Sequence, residues 1–495
     1  QTTIGAAGTI VEAFVAYDLQ TDLTKPFDKY ITTALMNQWF IDNLSNNTVT
    51  IGTGFDSQTF VKLPDGTYAN PALDAGTLTL VSGLFTYTSL TGVKLNFNSY
   101  GHIATMVDPA GVTVTYTYDS MARLSTVSNG LGRTLTLTYG ANNFLSSVSD
   151  GTGRSVGYTI DASGNLVTVT DPNSKNWTYE YDIPGRMTKL FKPANPTVAI
   201  VTNTYDTLGR IKEQADYQSN VWQYFFAGSR TEEVNPNGKS GILYFNNLGN
   251  TVKAINLVGK ISKATFDGRG RPIKNTAPEG NSVEFVYDSK NRVIQDITKA
   301  KPASGLADIV TSGTYDTTWN KLKTATDNLG RVTTMNYDVA NGNLLSVVSP
   351  SVTGLGSSTV AMTYNSRGQL LTVTGPDGTI TKNTYDVTTE KLLSKVVDFG
   401  VGLLNLTVNF GHDAVGHVTS VQDPRGFTST VTVDVLRRVT QVTSTGPFSF
   451  VTKFTFDDNG NTTKVERQTS DPLDPWQTSQ ASYSADNKVL TTTDL

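Results

Sequence analysis

An aromatic residue followed by Asp or Asn returns along this chain at near-constant spacing, and that recurrence constrains the fold more than any other feature. The step begins at Phe97, Tyr118, Tyr139, Ile160 and Tyr181, each 21 residues after the last. It continues at Tyr205, Phe225, Phe245, Phe266, Tyr287, Tyr315, Tyr337, Tyr364, Tyr385, His412, Val433, Phe456 and Tyr483; fifteen of these eighteen positions are Tyr or Phe, and the next is Asp or Asn in all but Gly140, Phe226 and Ser484. A reactive motif normally occurs once, so a motif carried down a whole chain reads as architecture.

Each slot has a physical reason. Before the step the chain alternates, as in VTVTYTYD (112–119), where Val112, Val114, Tyr116 and Tyr118 share one face. Period two with β-branched and aromatic residues predicts a half-buried strand. Asp or Asn then turns the chain by accepting a hydrogen bond from the backbone two residues on. Gly or Asn three places later supplies the positive φ of a tight turn with a bulge. The Arg of the recurring Gly-Arg begins the return strand, and its stem is expected to lie across a neighbouring unit's aromatic ring. The candidate turn residues are Tyr118 and Asp119; Tyr181, Asp182, Gly185 and Arg186; Tyr205, Asp206, Gly209 and Arg210; Asp267, Gly270 and Arg271; and Tyr287 and Asp288.

Halfway through each unit lies a second turn, as in SNGLGR (128–133), SDGTGR (149–154) and QDPRGF (422–427). One unit is therefore two strands and two reversals. The expected fold class is all-β: a long antiparallel β-hairpin array with a period of about 21. Thirty-six strands laid flat would span on the order of 170 Å, and open sheets rarely pass about 10 strands without curling. The array is therefore expected to curl into a spiral shell or hollow, barrel-like solenoid.

These motifs resemble the YD repeats of the RHS family, which also occur in insecticidal toxin-complex shells and teneurins. The resemblance covers about 97–495. Residues 41–96 resemble the β-rich lead-in that precedes such repeats, and 1–40 are expected to form a separate segment, a plug or cap. Within it, PFDKYITTALMNQWFIDNL (26–44) carries a tolerable helical pattern, and irregular chain leading into a strand is the alternative. The resemblance implies a β-sheet shell that encloses a toxin, or one used for adhesion at a cell surface. The family's terminal core-closing segment, with its Asp-Pro-x-Gly-Leu signature, has no counterpart here, so self-cleavage carries over to no residue.

Chemistry finds little purchase. Cysteine is absent, which removes disulfides and thiolate catalysis. With 39 basic against 43 acidic residues and no dense Lys/Arg cluster, nucleic acid is an unfavourable partner. No apolar run reaches the ~18 residues of a membrane span. HDAVGH (412–417) has a metal-ligand flavour, but His412, Asp413 and His417 fill the Tyr, Asp and Arg slots. His102 likewise fills an Arg slot, which leaves a Ser-His-Asp triad without a base. DDNGN (457–461) suggests a calcium loop but lacks the downstream bidentate acid. No cofactor or metal is expected.

Extra residues gather at the middle turn: 191–200, 299–310, 349–358, 398–406 and 470–477. In a meander the two turn types lie on opposite edges, so the enlarged loops share one rim. Phe399, Leu403, Leu404 and Trp476 are apolar for loops; either they touch a partner or they fold back onto the shell. The expected function is a non-enzymatic scaffold, secreted or at the surface of a bacterial cell, that encloses or presents another polypeptide. The alternative is a structural or adhesive subunit whose copies join head to tail through open strand edges, with surface carbohydrate as a further ligand class.

Overall fold

The computed structural model describes residues 47–52, 57–63, 65–70, 76–351, 356–446 and 449–494. The helical pattern at 26–44 lies outside them. Among the described residues forty-one strands, numbered β1 to β41 in chain order, make up the regular structure. The first three, β1 (Thr48–Gly52), β2 (Ser57–Lys62) and β3 (Tyr68–Ala69), form a small separate sheet. From β4 (Thr77–Val81) to β41 (Val489–Asp494) each strand pairs antiparallel with the next, giving one sheet of 38 strands. Among the described residues no ladder joins β41 back to β4, so the ribbon is unclosed. The stretch 77–96, read from sequence as part of the lead-in, is hydrogen-bonded into this same sheet.

One unit shows how the sequence builds the meander. Strand β8 (Thr113–Tyr118) pairs with β9 (Leu124–Ser128), with Thr117 opposite Thr126 but Tyr118 opposite Leu124. That register shift is a bulge, and it admits the extra turn residue. Strand β10 (Thr134–Tyr139) follows after the middle turn, and the pattern repeats. The unit aligned on Phe225 departs from it. Strands β18 (Val221–Ala227) and β19 (Arg230–Val234) pair without a shift around Gly228 and Ser229. Phe226, not Phe225, receives the Arg210 guanidinium, at 4.6 Å from its ring centre. A two-residue turn with φ of 56° at Gly228 has dropped the bulge and moved the aromatic slot by one.

The well-buried core is small and lies at the start of the ribbon. Ile51 and Phe60 of the small sheet pack with Leu78, Tyr87, Leu95 and Phe97 of the long one, and Phe60 is 0% exposed. The Phe60 and Tyr87 rings meet edge-on at 6.0 Å. Elsewhere no second layer covers the ribbon among the described residues. The chain's accessible surface is 29403 Å², against about 18,000 Å² for a compact chain of this mass. Large apolar side chains such as Leu135, Phe225, Leu243 and Leu393 therefore stay partly open on the strands.

The ribbon coils until it meets itself. The Asn320 side-chain amide donates to the Leu90 carbonyl at 2.8 Å. Lys175 pairs with Asp458 at 3.0 Å, and the Ala194 N–H donates to Asn459 Oδ1 at 2.9 Å. These contacts join turns 21 to 25 strands apart, as counted from the turn between β5 (Leu84–Thr88) and β6 (Lys94–Phe97) onward. One coil is thus roughly 100–120 Å of ribbon, and 38 strands make a little more than one and a half coils. The result is a spiral in which the sheet wraps over its own first coil.

Candidate functional site: the turn rims and the seam

The Tyr-Asp turn is a closed hydrogen-bonded unit. In the turn after β8, Asp119 Oδ1 accepts from the N–H groups of Met121 and Arg123, both at 2.9 Å. Its Oδ2 accepts from Arg123 Nε at 2.8 Å. One carboxylate thus satisfies two backbone donors and anchors the Arg. Asp206 does the same with Leu208, Arg210 and the Arg210 guanidinium. So do Asp267 with Arg269 and Arg271, and Asp288 with Lys290 and Arg292. Gly209 and Gly270 each take φ of 77°, where a side chain would be strained. The turn at Asp182 is built differently: Ile183 faces Arg186 around Pro184 and Gly185, and the Gly185 N–H donates to Asn165 of the preceding unit at 2.7 Å. Asp182 still grips Arg186, at 2.6 Å.

Two further contacts tie many of the units to their neighbours. The Tyr hydroxyl donates to the first carbonyl of the previous return strand: Tyr118 to Ile103 at 2.8 Å, Tyr181 to Leu166 at 2.9 Å and Tyr287 to Pro272 at 2.7 Å. Tyr205 bonds the Met187 carbonyl in the same way. The Arg clamped by one Asp then covers the next Tyr, as Arg186 over Tyr205 at 5.1 Å and Arg271 over Tyr287 at 4.6 Å. The turn residues therefore act as a staple between units, with the Asp carboxylate, Arg and Tyr in series. Tyr287→Phe is expected to cost about 1 kcal/mol in urea denaturation, because one hydroxyl–carbonyl bond is lost while ring and guanidinium stay stacked. Units with Phe in this slot lack the bond naturally, so the fold should survive.

The carboxylates are tuned accordingly. The Arg123 side chain first, and its N–H second, hold Asp119 below the usual carboxylate range. At Asp150 burial alone pushes the carboxyl up, but hydrogen bonds from Thr152 and Arg154 outweigh it and bring the value down to about 2. Such groups are acceptors fixed in the charged state, suited to holding a turn and unsuited to proton transfer near neutrality. His417 lies 3.7 Å from Asp413, whose carboxylate is also held by Arg437. Among the described residues no cluster of three or more His, Asp or Glu side chains has the arrangement of a metal centre.

The apolar rim residues divide. Phe399 turns back to the sheet: its N–H bonds the Ile380 carbonyl at 2.9 Å and Lys382 lies over its ring at 4.3 Å. Trp476 is the first residue of β40 (Trp476–Tyr483), with Lys453 over its ring at 4.5 Å. Leu403 and Leu404 stay open, at 48% and 75% exposed. Their loop is braced by Asn405, whose side chain bonds Gly400 and Leu403.

The sequence reading missed the seam. Trp319, in the Tyr-Asp turn 316–321, wedges between the coils. A Cβ placed on Gly92 would lie 2.5 Å from its ring, and one on Gly342 2.7 Å. Asn320 beside it accepts from Lys290 and Arg292, both at 3.0 Å, while its amide reaches the first coil. The available signal was a Trp at a turn tip and a turn one residue longer than most.

Comparison with known proteins agrees with this geometry. A family model described as RHS Repeat matches residues 97–134 and 161–190. Among solved structures, the chain is similar to that described as TcdB2-TccC3-Cdc42, at 14% identity and a TM-score of 0.60, over 90% of this chain and 28% of that one. It is also similar to the Photorhabdus luminescens Tc holotoxin pore, at 15% identity and a TM-score of 0.61, over 90% and 27%. The chain thus spans a little over a quarter of the length of these solved chains. A search of curated protein sequences finds no match. The stapled Tyr-Asp turns, the matched repeats and the spiral sheet coincide: the chain is built of RHS/YD repeats.

Proposed function

We propose that this chain is a non-enzymatic wall element of a secreted or cell-surface bacterial shell, and that the shell encloses or presents another polypeptide. The observation that carries the reading is the single-layer spiral. A sheet that coils round on itself, with no helix or second sheet over most of its length among the described residues, leaves a wide face available to a guest. Support comes also from the solved structures it resembles, which are multi-component assemblies by their descriptions. Many of the described Asp, Arg and Tyr side chains are spent on holding the turns and tying units together, which favours a scaffold over an enzyme. No helix among the described residues is long and apolar enough to cross a membrane. The strands' hydroxyl and aromatic side chains are also suited to weak carbohydrate contact. We retain the division into 1–40, 41–96 and 97–495 as a proposal, with the first segment as plug or cap.

The test is protease protection of a polypeptide fused after Leu495. Expected is slow digestion of the fused polypeptide while the spiral is intact, and fast digestion once urea opens it. Digestion as fast as that of the free polypeptide would overturn the enclosure reading.

A further inference from the structure

One letter in a turn decides where its arginine goes. Where Asp opens a turn and Arg stands four places later, the two pair throughout the described residues, as Arg123 does with Asp119, Arg154 with Asp150 and Arg438 with Asp434. In the middle turn 129–133 the same Arg follows Asn instead. Asn129 Oδ1 still accepts from the N–H groups of Leu131 and Arg133, at 3.0 and 3.2 Å, so the turn forms. The other end of the amide is a donor, however, and gives a guanidinium nothing to bond. Arg133 is thereby released towards the later coil, where its Nη2 packs so closely on Gly416 that a Cβ there would collide with it. Among the described residues its guanidinium makes no ion pair or hydrogen bond.

The later coil brings a second such residue to the same place. Asp413 accepts from the N–H groups of Val415 and His417, at 2.9 and 3.0 Å, and its remaining oxygen takes Arg437 from the next Tyr-Asp turn. The His417 ring is left 3.7 Å away, too far for a hydrogen bond, with its side chain 49% exposed. Arg133 and His417 both line a cavity of about 340 Å³ between the coils. Its apolar wall is Val114, Val127 and Leu135 of the first coil with Val415 of the later one. Asp150 is the carboxylate in the lining, and both its oxygens are already spent, one on Thr152 and the other on Arg154. Asp150 and Arg154 cancel, which leaves the charge of Arg133 unanswered.

We infer that this cavity binds an organic anion, a carboxylate carried on a compact apolar body. The planar guanidinium of Arg133 offers paired donors that match a carboxylate, and the His417 ring stands beside it as a further donor. The valines and Leu135 take the rest of the ligand. A largely apolar pocket with a few convergent polar groups is the usual form of a small-molecule site, and about 300 Å³ is the small end of the range. A bare inorganic anion would leave the apolar wall unused. The carboxylate belongs either to a free small acid or to the end of a polypeptide, since both present the same chemistry. Because the lining comes from both coils, a bound ligand clasps the seam, whatever the shell encloses.

Equilibrium dialysis of the full chain tests this with hydrocinnamate, the tripeptide Gly-Gly-Phe with its free carboxylate, the uncharged hydrocinnamamide and inorganic phosphate. Expected is retention of hydrocinnamate, of the tripeptide or of both, which tells a free acid from a chain terminus, and no retention of the amide. Arg133→Gln should weaken retention by about 10- to 100-fold, the loss of one charge-assisted contact. Asn129→Asp is the sharper variant. It keeps the arginine but supplies the carboxylate that the other turns already have, so retention should vanish while the urea midpoint holds or rises. Circular dichroism checks that both variants fold. Retention of neither carboxylate, equal retention of the amide, retention of phosphate alone, or wild-type binding by Asn129→Asp would each overturn the inference.

Discussion

Acidification from about pH 4 to about pH 2 is expected to unwind the array along its whole length, after almost no loss of stability between pH 7 and 5. The Asp carboxylates that hold the turns bind protons less readily folded than unfolded. Asp119 and Asp267 are lowered chiefly by the side chains of Arg123 and Arg271, and Asp206 by the N–H of Arg210. At Asp288 burial pushes upward, and the Arg292 pair with its N–H more than reverses it. A group lowered on folding contributes stability that is complete above its unfolded value, near ~3.9 for Asp. That contribution is lost as the pH falls through the folded value, which for Asp150 is about 2.

Each of these turns faces solvent, so each contribution is small and screened by salt. The effect becomes large by repetition. Protonating one Asp frees two backbone donors and the Arg that covers the next Tyr, so neighbouring units loosen together. Urea midpoints measured from pH 7 to pH 2 would show a plateau followed by a steep fall below pH 4. A fall centred above pH 5 would mean that other groups govern stability. Raising the salt concentration should soften the fall, because the Arg–carboxylate pairs are exposed.

Trp319→Ala is expected to separate the coils while leaving the ladder of strands formed. The indole fills a cradle made by Gly92 and Gly342, and its removal leaves the Asn320–Leu90 bond as the nearest tie. Full truncation of a core Trp costs about 3–5 kcal/mol. With this ring half-buried, about 2–3 kcal/mol is expected. The indole N–H has no hydrogen-bond partner, so Trp319→Phe, which keeps one ring in the cradle and loses no hydrogen bond, should cost less than Trp319→Ala. Gly92→Ala tests the other side of the contact. Its φ of 86° would cost an alanine roughly 1–2 kcal/mol before any collision with the ring. Because the two sites touch, the double variant should fall short of additivity. Limited proteolysis at the turn 89–92 reads the opening directly: faster cleavage there, with unchanged circular dichroism, is the expected pattern. Global unfolding of Trp319→Ala under native conditions would contradict it.

The sequence made the hairpins legible because their determinants are local. Asp206, Gly209 and Arg210 specify a turn through bonds that span five residues, and Tyr205 reaches only into the neighbouring unit. Alternation in stretches such as VTVTYTYD fixes which residues share a face, so strand order and pairing followed. The unit at Phe226 escaped because one deleted residue replaces a bulged turn with a tight one without changing the aromatic pattern on either side. The fate of the rim residues was also unreadable. Phe399 and Trp476 fold back under lysines from nearby strands, whereas Leu404 in the same kind of loop does not.

Sequence by itself thus determined a continuous antiparallel ribbon and the chemistry of its two turn types. Only the tertiary structure decided where the ribbon meets itself: Trp319 against Gly92, Asp458 against Lys175, Asn459 against Ala194. Those meetings depend on the twist and curvature accumulated over more than twenty strands. No short stretch of residues encodes that sum, since a small change in twist per strand would bring a different pair of turns together.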